Sequence, residues 1–345
     1  MANVSDMVEK LIDPNGLPRF GIFERPVEFV NYRDFDLRSA MDRPCGKLAR
    51  WSGFKQFQFV GLCGPELVMG CAVVDLKWVG NAFFYLYDPV RRHLEEFSFL
   101  QPLGRKTSID PRPDAGRASF ARGNNRVTMV AEARPRVRSV QAQIGKRLQL
   151  EMHLEEPEGF RPLAICTRSG YQGWTYTQKA AGLPVRGCLQ WDGREFDLGA
   201  SNLAGSYDWS CGYMRRETFW NWGCLSGRLP DGRWLGLNIA AGVNETGFTE
   251  CGFWLDHRFT KLDMVNFHFD RLNPERTWTM TSHDGLLDLR FEPEGTRREC
   301  RNFGLLASNF KQVFGKYYGS LRDESGETIR LDGLYGFAED HYAKW

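Results

Sequence analysis

Gly205-Ser-Tyr-Asp-Trp-Ser-Cys-Gly-Tyr-Met-Arg-Arg-Glu-Thr-Phe-Trp-Asn-Trp222 is the stretch around which this chain is read, because it sets aromatic rings among carboxylates and guanidiniums in strand-like order. After Gly212 the residues Met214, Arg216, Thr218, Trp220 and Trp222 alternate with Arg215, Glu217, Phe219 and Asn221. A β-strand sends successive side chains to opposite faces, so this order puts Trp220 and Trp222 on one face. Two readings fit. A core strand would pack its tryptophans inward and solvate its charges. A binding strand would turn the same indoles toward a ligand.

The same period recurs outward from this stretch. Phe57-Gln-Phe59, Phe97-Ser-Phe99, Leu148-Gln-Leu150-Glu-Met152-His-Leu154, Trp234-Leu-Gly-Leu-Asn-Ile239, Phe267-His-Phe269 and Leu287-Asp-Leu289-Arg-Phe291 alternate or are aromatic-rich, and helical periodicity is scarce. Asp-Gly at 192, 231, 284 and 332 supplies hairpin turns, since glycine reaches the positive φ they need. Many short strands with frequent turns predict an all-β sandwich or barrel architecture.

At 345 residues and 42% hydrophobic content there is room for two soluble domains with real cores. The longest apolar run, Leu67 to Val74, is too short to span a bilayer, and the N-terminal residues show no apolar signal region. A cytoplasmic location is expected, with no transmembrane segment and with room for peripheral membrane contact. Nine cysteines without a Cys-x-x-Cys pair fit free, mostly buried thiols. No zinc pattern, P-loop, dinucleotide fingerprint or Gly-x-Ser-x-Gly occurs, so no metal or cofactor is expected. A net charge of +2 gives no general field for nucleic acid. Oligomeric state is not legible. One segment departs from balance: residues 104 to 138 hold nine basic and three acidic residues, a net of +6. A grip on a phosphate or an anionic lipid headgroup is one reading of this run; Arg134, Arg136 and Arg138 alternate in it, which predicts instead a solvated strand face.

An ordered internal repeat organises the whole. Phe57-x-Phe59 aligns with Trp220-x-Trp222, Phe-Tyr-Leu-Tyr-Asp88 with Gly-Phe-Trp-Leu-Asp256, and Glu-Phe97-Ser-Phe99 with Asn-Phe267-His-Phe269, at offsets of 163, 168 and 170. Glu-Pro-Glu-Gly at 156–159 then recurs at 292–295, an offset of 136, which locates an insertion of about 34 residues in the first copy, where the basic segment lies. Downstream, Asp208 aligns with Asp340. Two related β halves follow, with a working division into 1–180, carrying the basic insertion, and 181–345, whose last strands have the option of returning to the first barrel.

Trp-Thr-Tyr-Thr-Gln-Lys near 174, Arg-Glu-Thr-Phe-Trp-Asn-Trp at 216–222, Leu-Gly-Leu-Asn at 235–238, Gly-Val-Asn-Glu-Thr-Gly at 242–247, Phe-Trp-Leu-Asp at 253–256 and the terminal Gly-Phe-Ala-Glu-Asp-His-Tyr-Ala-Lys-Trp resemble the bacterial family called domain of unknown function 2804. More distantly, Gly205-x-x-Asp208, Trp220-Asn-Trp222 and Leu229-Pro-Asp231-Gly are similar to the two-lipocalin hydroxyneurosporene synthase (carotenoid hydratase) group. That resemblance implies two calycin barrels and, for some members, hydration or cyclisation of hydrophobic polyenes. That group often carries His after the Asp, where this chain has Trp209.

Aromatic residues at 14% suit an apolar pocket for a hydrophobic small molecule, or simply filled cores. To protonate an alkene, a chain needs a carboxylic acid kept neutral by burial and indole faces to stabilise the cation. Asp208 is the candidate acid and Trp220 and Trp222 the platform; Glu217 is the candidate to position water, or else pairs with a neighbouring arginine. Tyr207, Arg215, Asn238 and Trp254 complete the expected ligand-binding set. Cofactor-independent hydratase or isomerase chemistry on an isoprenoid or lipid-like molecule is one reading, and a non-catalytic lipid carrier the other. A glycosidase pair of Glu245 and Glu250, with Trp254 to stack a sugar, is a third.

Overall fold

Alternation fails in the middle of the chain for a physical reason. Every residue of the strand Ala204–Tyr213 is buried, and all but the first of Gly173–Leu183. Both lie centrally in an antiparallel sheet that is covered by packed layers on both faces, so neither face needs to be polar. The computed structural model describes residues 8–242, 248–302, 304 and 306–345. In it this central sheet has eight strands in the order Gly21–Phe23, Leu163–Ser169, Gly173–Leu183, Ala204–Tyr213, Lys55–Cys63, Val68–Asp75, Val79–Asp88 and His93–Pro102.

A seven-stranded sheet covers one face: Arg194–Asp197, Val185–Trp191, Leu148–Glu155, Arg136–Ile144, Asn125–Ala133, Arg117–Arg122 and Thr107–Ile109. A nine-stranded sheet packs on the other: Arg258–Lys261, Gly252–Leu255, Trp234–Ala241, Glu217–Arg228, Thr328–Lys344, Ala307–Arg322, Leu287–Asn302, Trp278–Ser282 and Val265–His268. The fold is all-β, two related barrel-like halves, as the sequence predicts.

The duplication is visible as topology. In the first half the strand of Phe59 lies between Ala204–Tyr213 and Val68–Asp75; in the second the strand of Trp222 lies between Thr328–Lys344 and Trp234–Ala241. Where the first half breaks its strands to turn from one sheet to the next, the second runs three long strands straight through the corner. Register shifts at Pro293/Gly295 and Tyr317/Tyr318 supply the bend. The first half also carries the strands Thr107–Ile109 and Arg117–Arg122, which lie within residues 104–138.

The chain changes sheet between Tyr213 and Glu217, and residue 180, the expected division, lies inside a central strand. The last strand, Thr328–Lys344, bonds to Glu217–Arg228 and Ala307–Arg322 instead of returning to the first half.

Two readings are corrected. Asp208 pairs across the sheet with Phe59, whereas the residue opposite Trp222 is Glu339. If Phe59 and Trp222 correspond, the counterpart of Asp208 is therefore Glu339, one position from Asp340. The solvated arginine face is also wrong. Arg138 is 3% exposed, with its guanidinium 3.7 Å over the Tyr207 ring, and Asp114 and Glu156 pair with both Arg136 and Arg138. Alternation reports which side chains share a face, and here the face of Arg136 and Arg138 is covered by the central sheet. Arg134 is exposed.

The halves meet through close backbone. A Cβ on Gly236 would stand 2.1 Å from the Ala181 carbonyl carbon, which leaves only glycine there. Ser226 Oγ accepts from Gly182 N–H at 3.0 Å and donates to the Gly205 carbonyl at 3.1 Å. Phe59, Trp222 and Phe337 contact one another edge to face, with ring centroids 4.8 to 6.0 Å apart.

Candidate functional site

Tyr207 and Asp208, as neighbours on one strand, face opposite layers. Asp208 points toward the second half and is 2% exposed; across the sheet from it stands Lys179, also buried. Lys179 Nζ lies 2.9 Å from Asp208 Oδ2 and 2.8 Å from Glu250 Oε2, Glu250 being supplied by the turn before Gly252–Leu255. Ser210 and Thr177 hydroxyls donate to Asp208 Oδ1 at 2.7 and 3.3 Å. The Lys179 ammonium also sits 5.0 Å from the Trp222 ring centroid. That indole is fixed by its own N–H, which donates to Asn238 Oδ1 at 2.7 Å, while the Asn238 amide donates to the Glu250 carbonyl at 2.6 Å.

The charge count decides the chemistry. Among the described residues two carboxylates meet one ammonium, so these three groups, fully ionised, carry a net negative charge in a buried interface. Burial, reinforced by the Glu250 charge, pushes the Asp208 carboxyl above the usual carboxylate range, against the pull of Lys179 and Ser210. For Lys179 burial favours the neutral amine, but the two carboxylates outweigh it and raise its pKa. A proton held by Asp208 would bring the cluster to neutrality beside an indole face. Such a cluster can hold a carboxylic acid ready to donate and stabilise a cation nearby.

The remaining expected residues lie elsewhere. Tyr207 belongs to a second buried network on the opposite face, where its hydroxyl donates to Glu156 Oε1 at 2.8 Å under the Arg138 guanidinium. Glu217 is exposed, 3.2 Å from Lys344 Nζ and accepting from the Tyr342 hydroxyl; these bonds lower its pKa. Trp220 donates to Glu339 Oε1 at 2.9 Å and lies against His341. Trp254 is wholly buried, stacks on Phe160 and donates to the Arg161 carbonyl at 2.8 Å, an anchor between the halves. Arg215 lines an open cleft of about 350 Å³ with Arg38, Tyr171, Tyr213 and Arg216. A second cavity, of about 210 Å³, is lined by Pro184, Leu203 and Trp234 among others. Asp208 lines neither of these two.

Lys179 is the functional candidate that sequence reading left without a role. Its signal was present, a lone ammonium in the uncharged run Gly173 to Leu183, but only the fold brings Asp208 and Glu250 to it. For the sugar-cleaving pair, Glu250 is committed to Lys179 and Glu245 lies outside the described residues.

The chain matches the family described as "Domain of unknown function (DUF2804)" over residues 3–345, and it belongs to that family. No curated protein sequence matches it. Among solved structures it is similar to kievitone hydratase from Nectria haematococca, at TM-score 0.52 and 11% identity, covering 84% of this chain and 90% of that one. It is similar also to CghA, at TM-score 0.57 and 10% identity, covering 83% and 87%. These likenesses show the fold.

Proposed function

We propose that this member of the domain of unknown function 2804 family is a cofactor-independent lyase of the hydratase type, or an isomerase, acting on a hydrophobic small molecule with Asp208 as proton donor. The observation that carries the reading is the buried Asp208–Lys179–Glu250 cluster under the Trp222 indole, with the Asp208 carboxyl raised by burial. In the first step the Asp208 O–H bond breaks, its proton bonds to one alkene carbon, and the π electrons leave a cation on the other. The Trp222 face stabilises that cation, and Asn238 holds the indole in place. For hydration, a water oxygen bonds to the cation and its spare proton returns to the Asp208 carboxylate; for isomerisation, a neighbouring C–H proton returns there instead. Likeness of fold to a protein named as a hydratase supports the reaction class.

A second reading, a carrier of an isoprenoid or lipid-like molecule without chemistry, is favoured by two facts. Asp208 is bonded to Ser210, Thr177 and Lys179, and the two cavities described are lined by other residues. Native mass spectrometry and absorbance of the purified protein would reveal a retained hydrophobic ligand, and turnover of that ligand decides. Loss of turnover with retained binding in Asp208→Asn supports the enzyme; unchanged turnover removes Asp208 as the acid; a bound ligand that never turns over leaves the carrier.

A further inference from the structure

Apolar side chains stand out of the surface where the short helix Lys47–Gly53 meets two turns. The helix has no buried residue, yet it presents Leu48, 64% exposed, and Trp51, 41% exposed. Spacings of three and four residues put Lys47, Leu48 and Trp51 side by side. Trp51 meets Trp78 edge to face at 5.0 Å between ring centroids, and Trp78 is itself 46% exposed. The Trp78 carbonyl accepts from the Leu103 N–H at 2.7 Å, which adds Leu103, 60% exposed, to the patch.

Its rim is basic. Lys47, Arg105 and Lys106 are exposed around it, whereas Asp75 beneath is buried and bound to Lys77. The patch is also stiff. Lys55 Nζ donates to the Ser52 and Leu76 carbonyls at 2.7 and 3.0 Å, tying the end of the helix to the Trp78 turn. From the other side Arg50 donates to the Phe35 and Cys45 carbonyls at 2.6 and 3.2 Å.

We propose that this patch docks the protein on the surface of an anionic lipid bilayer. Indoles partition to the headgroup level, where the ring is desolvated while its N–H stays wet. Lysines and arginines around an apolar face are the complement of anionic headgroups, and the two together bind where either alone is marginal. Among the described residues no helix is long and apolar enough to cross a membrane, so the docking inferred is peripheral. The inference rests on the patch alone and stands whether Asp208 catalyses or not.

Co-sedimentation of the full chain with phosphatidylcholine vesicles, with and without phosphatidylserine, tests it. The expected result is binding to the serine-containing vesicles that weakens as salt is raised. Trp51→Ala with Trp78→Ala should lower that binding roughly tenfold or more at an unchanged urea midpoint, and the Phe pair at the same positions should retain part of it. Lys47→Glu with Lys106→Glu should remove the preference for anionic vesicles. Absence of binding at low salt, or undiminished binding by the double Ala variant, overturns the proposal. So does a dimer that the Trp variants abolish, since it would assign the patch to a second copy of this chain.

Discussion

Replacing Lys179 with Met keeps the stem of the side chain and deletes the ammonium that Asp208 and Glu250 share in the interface. Breaking a buried ion pair by removing one partner costs about 3–5 kcal/mol, because the orphaned charge stays desolvated. The cost should depend on pH, and its sign follows from linkage. Asp208 is already raised in the folded state, so its contribution to stability is fully present below the unfolded carboxylate pKa and lost as pH rises through the folded one. Without Lys179 the folded pKa moves higher still. The penalty of Lys179→Met should then be near its full size at about pH 8 and shrink toward about pH 5, at up to about 1.4 kcal/mol per pH unit for each extra proton held.

Urea titrations of both proteins at the two pH values measure it. Asp208→Asn is the control of opposite sense: it leaves Lys179 and Glu250 as a one-to-one pair, so stability should change little and depend less on pH. Adding it to Lys179→Met should recover part of the loss, since one orphaned carboxylate is gone. A Lys179→Met penalty below about 1 kcal/mol, or one equal at both pH values, would mean that the cluster is hydrated and that Asp208 is an ordinary carboxylate.

Other substitutions probe the surrounding framework. Arg138→Met leaves Asp114 and Glu156 to share Arg136 beside Tyr207 and should lower the urea midpoint, at a cost below the about 3–5 kcal/mol of a fully orphaned buried charge, whereas Arg134→Ala in the turn before that strand should leave the midpoint unmoved. Gly236→Ala forces a methyl against the Ala181 carbonyl and should destabilise by about 1–3 kcal/mol or more, with the halves loosening first in limited proteolysis. Glu217→Gln, at an exposed pair with Lys344, should change neither the urea midpoint nor ligand turnover.

How far the sequence carries can be judged residue by residue. The all-β class and the repeat are legible, because they rest on local period and on order along the chain. Placement of Arg136 and Arg138 is not, since their alternation is identical whether a face meets water or another sheet. The partnership of Lys179 with Glu250 joins residues 71 positions apart, one on the central sheet and one in a turn of the second half, and no local pattern encodes it. Trp254 shows the limit for aromatics: its sequence neighbours suit a binding wall equally well, and only the Arg161 carbonyl at its N–H marks it as an anchor.

Duplication then offers a comparison within one molecule. Glu339 holds in the second half the register position that Asp208 holds in the first, but its surroundings differ. Across the sheet from it stands Gln312 where Asp208 has Lys179, and Gln312 donates to Glu339 Oε2 at 3.1 Å while Trp220 donates to Oε1 at 2.9 Å. Trp220 and Gln312 are neutral donors and the His341 Nδ1 lies 3.5 Å from Oε1, so among the described residues no ammonium or guanidinium pairs with Glu339, and an amide there can still accept from Trp220. Asp208 instead shares an ammonium with a second carboxylate, an arrangement that an amide cannot reproduce. Glu339→Gln should therefore keep both stability and turnover of an identified ligand. Asp208→Asn should lose about 10²–10⁴-fold in turnover, the range of a general acid, with binding intact. Equal losses in the two variants would show that the carboxyls serve the interface of the halves alike, and the assignment of proton transfer to the first half would fall with that result.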